Sequence, residues 1–266
     1  FAARILRIPV VIHEADTVPS RVNLWAAKFA RIIAISHPQA ASYFPKDKVI
    51  ITGNPIRKEI LYPIKEGARD FLKLEPEIPV IFVIGGSQGA MKINDVIVDA
   101  LPELVKDYQI IHQTGRELIN DVSARANFVL ENSLHKDRYK IYDFLNPTAM
   151  RMVGGVADLA VSRSGSGIFE IANWKIPAIV IPIPETISRD QRQNALAYAE
   201  SGAAEIIEES NFTSTILLSE IRRILKDPAT KKIMSESADR FATKSRTAAV
   251  DIASRLIEIC LEHENS

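Results

Sequence analysis

The chain has 266 residues, 47% hydrophobic and 25% charged, the mix of a soluble globular protein with a real core and a length for one large domain or two ordinary ones. Lys plus Arg and Asp plus Glu number 33 each, and zero net charge argues against bulk electrostatic binding of nucleic acid. The single cysteine, Cys260, excludes an internal disulfide and suits a reducing compartment, and five histidines without ligand spacing argue against zinc. No apolar run approaches the ~18 residues of a membrane-spanning helix, and no signal peptide is visible.

In chain order, "FAARILRIPVVIHE" reads as the end of a helix running into a strand, so further chain is expected upstream of Phe1. Strand-like runs follow at 9–13, 31–36, 48–53, 79–85, 108–115, 139–144, 157–162, 177–182 and 203–207. They are short, β-branched and apolar on both faces, as parallel strands covered by helices are. Helical spacing occupies 89–105, 116–126, 165–174 and 190–201. Repeated strand–helix units predict an α/β protein with doubly wound sheets. A break near 54–78, in a stretch that carries Gly53, four prolines up to Pro79 and mixed charge, reads as a linker between a short first part and a full α/β domain. The last helix carries Ala249, Ile252, Ala253, Leu256 and Ile259 on one stripe and needs a surface to cover, with a return to the first domain as one option.

Chemistry is expected at the joints. After the first strand, "HEADTVPSRVN" offers His13, Glu14, Asp16 and Asn23. At "GGSQGA" a strand ends at Ile84, and Gly85, Gly86, Ser87, Gln88 and Gly89 lead into a helix. Bare amides at a helix start suit an anion, glycine lets it approach, and Ser87 adds a hydroxyl donor. The loop is neither the dinucleotide fingerprint nor the P-loop, and a tight structural turn is the alternative. "HQTG" (112–115) closes another strand, although a lone histidine is more often structural. At "VSRSGSGIFEIA" Arg163 supplies a cation beside the amides of Ser166 and Gly167, and Glu170 is placed to pair with sugar hydroxyls or merely to face the helix dipole. In "IPIPETISRDQRQNALAY", Asp190, Gln191 and Asn194 are partners for sugar hydroxyls, or an N-cap and a solvated face.

Taken together, "HEADTVPSRVN", "TGNPIR", "GGSQGA", "HQTG", "ADLAVSRSG" with "FEIA", and "DQRQNA" with "GAA" resemble, in order and spacing, the MurG family. These bacterial transferases move N-acetylglucosamine from UDP onto a lipid-linked muramyl-pentapeptide in peptidoglycan synthesis. The resemblance covers essentially the whole chain. It implies a GT-B fold of two Rossmann-like domains, the first incomplete here. It divides the chain into 1–57 (acceptor and membrane side), 58–245 (UDP-sugar-binding domain) and 246–266 (a helix returning to the first domain). It implies that Arg57 and Ser87 contact the diphosphate and that the Leu145 backbone meets uracil. Ser166, Gly167 and Ile168 would present helix-start amides, Glu170 would hold the ribose and Gln191 the sugar. Asp16 would lie near the donor, and Asn23, Gly86, Gln88, Arg163 and Asn194 are further candidates. No cofactor or metal is implied. The partners implied are UDP-N-acetylglucosamine, the undecaprenyl-linked acceptor lipid I and an anionic membrane surface. The place implied is peripheral, on the cytoplasmic face of the bacterial inner membrane.

The chain departs from the family at "HEAD", where Asp16 stands for an amide, and in an "SRSGSGIFE" segment one residue short. The family's first glycine-rich loop with its proposed base is expected upstream of residue 1, so the catalytic base is unassigned, with Glu14 and Asp16 as the local carboxylates. Two rival readings stand beside the transferase: an epimerase acting on UDP-N-acetylglucosamine, and a non-catalytic UDP-binding module. The start of the chain mixes Phe1, Ile5 and Leu6 with Arg4 and Arg7, and Lys28 and Arg31 follow, a combination suited to anionic lipid.

Overall fold

The computed structural model describes residues 2–85, 90–184, 186 and 189–264. A short helix α1 (Ala2–Ile5) leads into a three-stranded parallel sheet of β1 (Val11–Glu14), β2 (Ile32–Ile35) and β3 (Val49–Ile51), with α2 (Arg21–Ala26) between the first two strands. Ala27, Ala30, Ile33, Ile35, Ala40 and Phe44 form its small core.

The remainder builds a six-stranded, all-parallel sheet from β4 (Val80–Ile84), β5 (Gln109–Gln113), β6 (Tyr139–Tyr142), β7 (Leu159–Ser162), β8 (Ala178–Val180) and β9 (Ala204–Ile206). Its order is β6-β5-β4-β7-β8-β9. The chain winds outward from β4, then crosses back and winds outward from β7. That reversal opens a crevice at the carboxyl ends of β4 and β7, where open α/β sheets bind ligands. Each strand-like run in the sequence overlaps one of these nine strands.

Both faces of this sheet are apolar, and alternate residues serve alternate faces. Val80, Phe82, Ala160, Ala178 and Val180 pack on one side, beneath α6 (Pro147–Val156), α7 (Gly167–Asn173) and α10 (Pro228–Ala242). Ile81, Val83, Leu159, Val161 and Ile179 pack on the other, beneath α4 (Met91–Asp107), α5 (Ile119–Val129) and α9 (Ser214–Lys226). Local signals start several of these helices. Asn146 caps α6 through a hydrogen bond from the Ala149 N–H at 2.9 Å, and Asp227 caps α10, each with proline in the first turn.

The segment 54–78 is not a free linker. Ile56, Ile60, Leu72 and Leu74 are buried in the core of the larger sheet, and the segment holds a one-turn helix α3 (Ala68–Phe71). Trp174 Nε1–H donates to the Ile60 carbonyl at 2.9 Å, Asn173 Nδ2–H to that of Leu61 at 2.7 Å, and Arg151 Nε–H to that of Tyr62 at 2.7 Å. A Cβ on Gly155 would lie 2.0 Å from the Ile64 carbonyl oxygen, so only glycine admits this approach. The prolines stop regular structure there, but they do not stop packing.

Several contacts join the sheets among the described residues. Gly53 has φ +77° and would place a Cβ 2.6 Å from the Ser245 amide, while the Asn54 N–H donates to Ser245 Oγ at 3.1 Å. His37, just past β2, packs 5.1 Å from the Phe169 ring, which stacks 5.2 Å from Phe241. Burial pushes the His37 imidazole down to about 4. The last helix, α11 (Ala248–Glu264), covers less than its stripe suggested. Ile259 is buried and Ile252 half-buried, but Ala249, Ala253 and Leu256 are exposed. Its far end is tied to the first sheet's side by an Arg31–Glu262 ion pair.

Candidate functional site

A cavity of about 320 Å3 lies at the reversal between β4 and β7. Its floor is Phe82, Ile84 and Gly85 from β4 and its exit; its wall is the turn from Ser162 to Gly167 and the start of α7, including Glu170. Met150, Trp174 and Ile183 make it partly apolar, and Gln191 of α8 (Arg189–Glu200) completes it. Gly86, Ser87 and Gln88, expected to cradle a diphosphate, lie outside the described residues. Asp190 lies in α8, with its side chain also outside them.

The turn after β7 is built from inside. Ser164 is fully buried and its Oγ–H donates to the Gln191 carbonyl at 2.6 Å, locking the turn to α8. The Ile168 N–H is closed onto the Gly165 carbonyl at 3.1 Å and the Phe169 N–H onto that of Ser166 at 3.2 Å. Ile168 therefore does not offer its amide as expected, and Ser166 and Gly167 stand at the open end of α7. Arg163 does not face these amides. Its guanidinium donates to the Ile181 and Pro182 carbonyls at 3.0 and 3.3 Å and pairs with Glu209, so it stiffens the exit of β8.

Glu170 and Arg57 are brought together. Arg57 Nε–H and Nη2–H donate to Oε1 and Oε2 of Glu170 at 2.8 and 3.0 Å. These bonds hold the guanidinium above its ordinary pKa. Gln191 contributes a buried Oε1 that meets no hydrogen-bond donor. Buried polar atoms are nearly always paired, so this oxygen is an exception in the wall of the cavity that Gln191 lines. Leu145 is buried, its N–H is taken by Gln113 Oε1 at 2.9 Å, and it is not among the residues that line this cavity.

The loop after β1 approaches from the other sheet, and its polar groups are already engaged. Glu14 is 3% exposed and accepts from the Asp16 N–H (3.0 Å), the Ser20 N–H (3.2 Å) and Asn23 Nδ2–H (2.8 Å). Asp16 Oδ1 accepts from Asn194 Nδ2–H at 2.7 Å, and Asn194 Oδ1 accepts from the N–H and Oγ1–H of Thr17 at 2.9 Å each. Asn194 is thus a clasp between the sheets rather than an open amide. Thr17 and Gln113 escaped the sequence reading as site-forming residues: Thr17 meets a partner 177 positions away, which no local spacing reveals.

His112, in "HQTG", is fully buried and pushed down to about 3 by burial. Asn94 donates Nδ2–H to the Thr114 carbonyl, so its Oδ1 accepts from His112 Nε2–H at 3.0 Å, and Nδ1 accepts from the Tyr139 hydroxyl at 2.9 Å. The residue is a neutral structural bridge. Among the described residues no group of three His, Cys, Asp or Glu is placed to hold a metal, and no helix is long and apolar enough to cross a membrane.

Comparison with known proteins agrees with this architecture. Residues 80–256 match the glycosyltransferase family 28 C-terminal domain. A UDP-N-acetylglucosamine–N-acetylmuramyl-(pentapeptide) pyrophosphoryl-undecaprenol N-acetylglucosamine transferase 3 of Bacillus thuringiensis strain Al Hakam is 35% identical over 82% of this chain and 59% of its own length. The transferase of that name from Oenococcus oeni is 33% identical over 90% of this chain and 64% of its own length. The chain therefore spans about three-fifths of the length of these curated relatives. The crystal structure of Acinetobacter baumannii MurG superposes with a TM-score of 0.69 at 26% identity, covering 96% of this chain and 69% of that one. A Listeria monocytogenes structure described as a putative UDP-N-acetylglucosamine 2-epimerase shares the fold, with a TM-score of 0.69 at 15% identity over 98% of this chain and 70% of that one. On the match across the larger sheet and its helices, the chain belongs to glycosyltransferase family 28.

Proposed function

We propose that this chain is the donor-binding part, with the adjoining edge of the acceptor side, of a MurG-type inverting glycosyltransferase. The reaction moves N-acetylglucosamine from UDP-N-acetylglucosamine to undecaprenyl-linked lipid I and yields lipid II for peptidoglycan. The observation that carries the reading is the cavity at the β4–β7 reversal, which Glu170 and Gln191 both line. A carboxylate suits the ribose diol, and an amide oxygen suits a sugar hydroxyl. The separate sheets and the Arg31–Glu262 pair support a division into 1–57 on the acceptor side, 58–245 as the donor domain and 246–266 returning to the first.

Chemically, an acceptor hydroxyl oxygen attacks the anomeric carbon as the bond to the UDP oxygen breaks, with inversion. The hydroxyl proton passes to a base, and UDP leaves with the negative charge. On this reading the amides of Ser166 and Gly167, at the start of α7, stabilise that charge. Glu14 and Asp16 already hold internal partners. Neither is taken as the base on this reading.

The membrane contact is peripheral on this reading, at the cytoplasmic face. Ile5, Leu6, Val22 and Trp25 are exposed near Arg4, Arg7 and Lys28, whereas Arg31 is engaged by Glu262. Replacing Arg4, Arg7 and Lys28 with Gln should weaken binding to anionic vesicles; co-sedimentation indifferent to the change rules this patch out.

The function itself is tested in two steps: calorimetry with UDP and UDP-N-acetylglucosamine, then chromatography for transfer to a lipid I analogue. Absence of nucleotide binding sinks the proposal. Conversion of UDP-N-acetylglucosamine without any acceptor would favour the epimerase, and binding without transfer would leave a donor-binding module.

A further inference from the structure

The Arg57–Glu170 pair spans 113 positions of sequence and links the connector to the start of α7. Ile56 and Ile60, both buried, fix the backbone on either side of Arg57. Glu170 has a side chain 19% exposed, against 47% for Arg57. The two N–H groups reach different oxygens, so the fork fixes the plane of the carboxylate as well as its charge. Each carboxylate oxygen takes one hydrogen bond from the fork and keeps further accepting capacity. The guanidinium, in turn, has spent one full edge on Glu170.

We infer that Arg57 is a positioning residue for ribose recognition: it holds both oxygens of Glu170 ready for the two hydroxyls of a ribose, and is not itself the contact for the diphosphate. This rests on the proposal that a uridine nucleotide occupies the cavity. Lysine is no substitute on this account, because an ammonium cannot hold both oxygens in one plane.

The test uses uridine, which has the ribose and no phosphate, beside UDP and 2′,3′-dideoxyuridine. Ligand-observed NMR and calorimetry give dissociation constants for the chain and for Arg57→Gln, Arg57→Lys, Glu170→Ala and the Arg57→Gln/Glu170→Ala double variant. Arg57→Gln should raise the constants for uridine and UDP by the same factor, about tenfold, the scale of a charged hydrogen-bond network. It should leave dideoxyuridine unchanged, and Arg57→Lys should recover little. In the Glu170→Ala background the Arg57 change should alter neither uridine nor UDP binding. A loss confined to UDP, or one that persists without Glu170, overturns the inference and makes Arg57 a phosphate contact. If the unsubstituted chain binds neither uridine nor UDP, the nucleotide reading falls and the inference falls with it. Thermal melting of each variant separates misfolding from these outcomes, since Arg57 is half exposed and its loss should leave the melt unchanged.

Discussion

The loop leaving β1 and the turn leaving β7 each set a carboxylate close to a helix start, and the two carboxylates are held in opposite ways. Glu14 takes three N–H donors, two from its own loop and one from Asn23 of α2, and is sealed from solvent. Glu170 is gripped along one edge by a guanidinium from far away in sequence and opens onto a cavity. A carboxylate saturated by its neighbours shapes a turn. One held from outside and left with accepting capacity can receive a ligand. The same contrast separates the two amides of α8: Asn194 is fully engaged by Asp16 and Thr17, and Gln191 keeps an unpaired oxygen.

The sharpest break of this comparison is Glu14→Ala. It strands three buried or half-buried donors and should cost about 3 kcal/mol of stability while leaving UDP affinity unchanged. Urea unfolding with parallel calorimetry measures both, and a loss of affinity in a stably folded variant would make Glu14 a ligand contact. Glu170→Ala should do the reverse, weakening UDP by about 2 kcal/mol with little change in unfolding. Unchanged UDP affinity in the folded variant refutes its ribose role.

Two buried histidines extend the contrast between satisfied and unsatisfied groups. His112 has partners on both nitrogens, and His37 Nε2 is buried without one. Burial lowers both, to about 3 and about 4, below the unfolded value, so the unfolded chain binds more protons in the window beneath pH 6.5. Stability should be full above that pH and fall by about 1.4 kcal/mol per unit for each histidine as pH drops towards 4. His37→Phe should remove its share of this slope without loss at pH 7, whereas His112→Phe should destabilise at every pH by orphaning Asn94 and Tyr139. Equal effects of the two changes at pH 7 would erase the distinction.

Smaller effects refine the site. Gln191→Leu removes a buried unpaired oxygen, so stability should hold or rise, while affinity for UDP-N-acetylglucosamine, but not UDP, falls by about 1 kcal/mol. Equal losses for the two ligands would place Gln191 elsewhere on the nucleotide. Asp16→Asn keeps an acceptor for Asn194 and should cost only about 0.5 kcal/mol in unfolding. A much larger loss would show that the charge itself holds the clasp.

The periodicity of the strands was legible because it is local. Short, β-branched runs that are apolar on both faces read as parallel strands under helices. The order of the joints along the chain carried the family resemblance. The linker reading of 54–78 failed because proline and charge report the absence of regular structure, whereas the burial of Ile56, Ile60, Leu72 and Leu74 depends on a surface contributed by α6 and α7.

The α/β class and the strands follow from a few neighbouring residues, and the amino-acid order carries them without the fold. Only the tertiary structure decided the order β6-β5-β4-β7-β8-β9 and hence which joints share a cavity. It also decided that Arg57 grips Glu170, that Arg163 turns towards Glu209, and that Asn194 closes on Thr17. The reason is physical: a polar side chain takes whichever partner the packed core brings within about 3 Å, and that partner is chosen by long-range packing rather than by spacing along the chain.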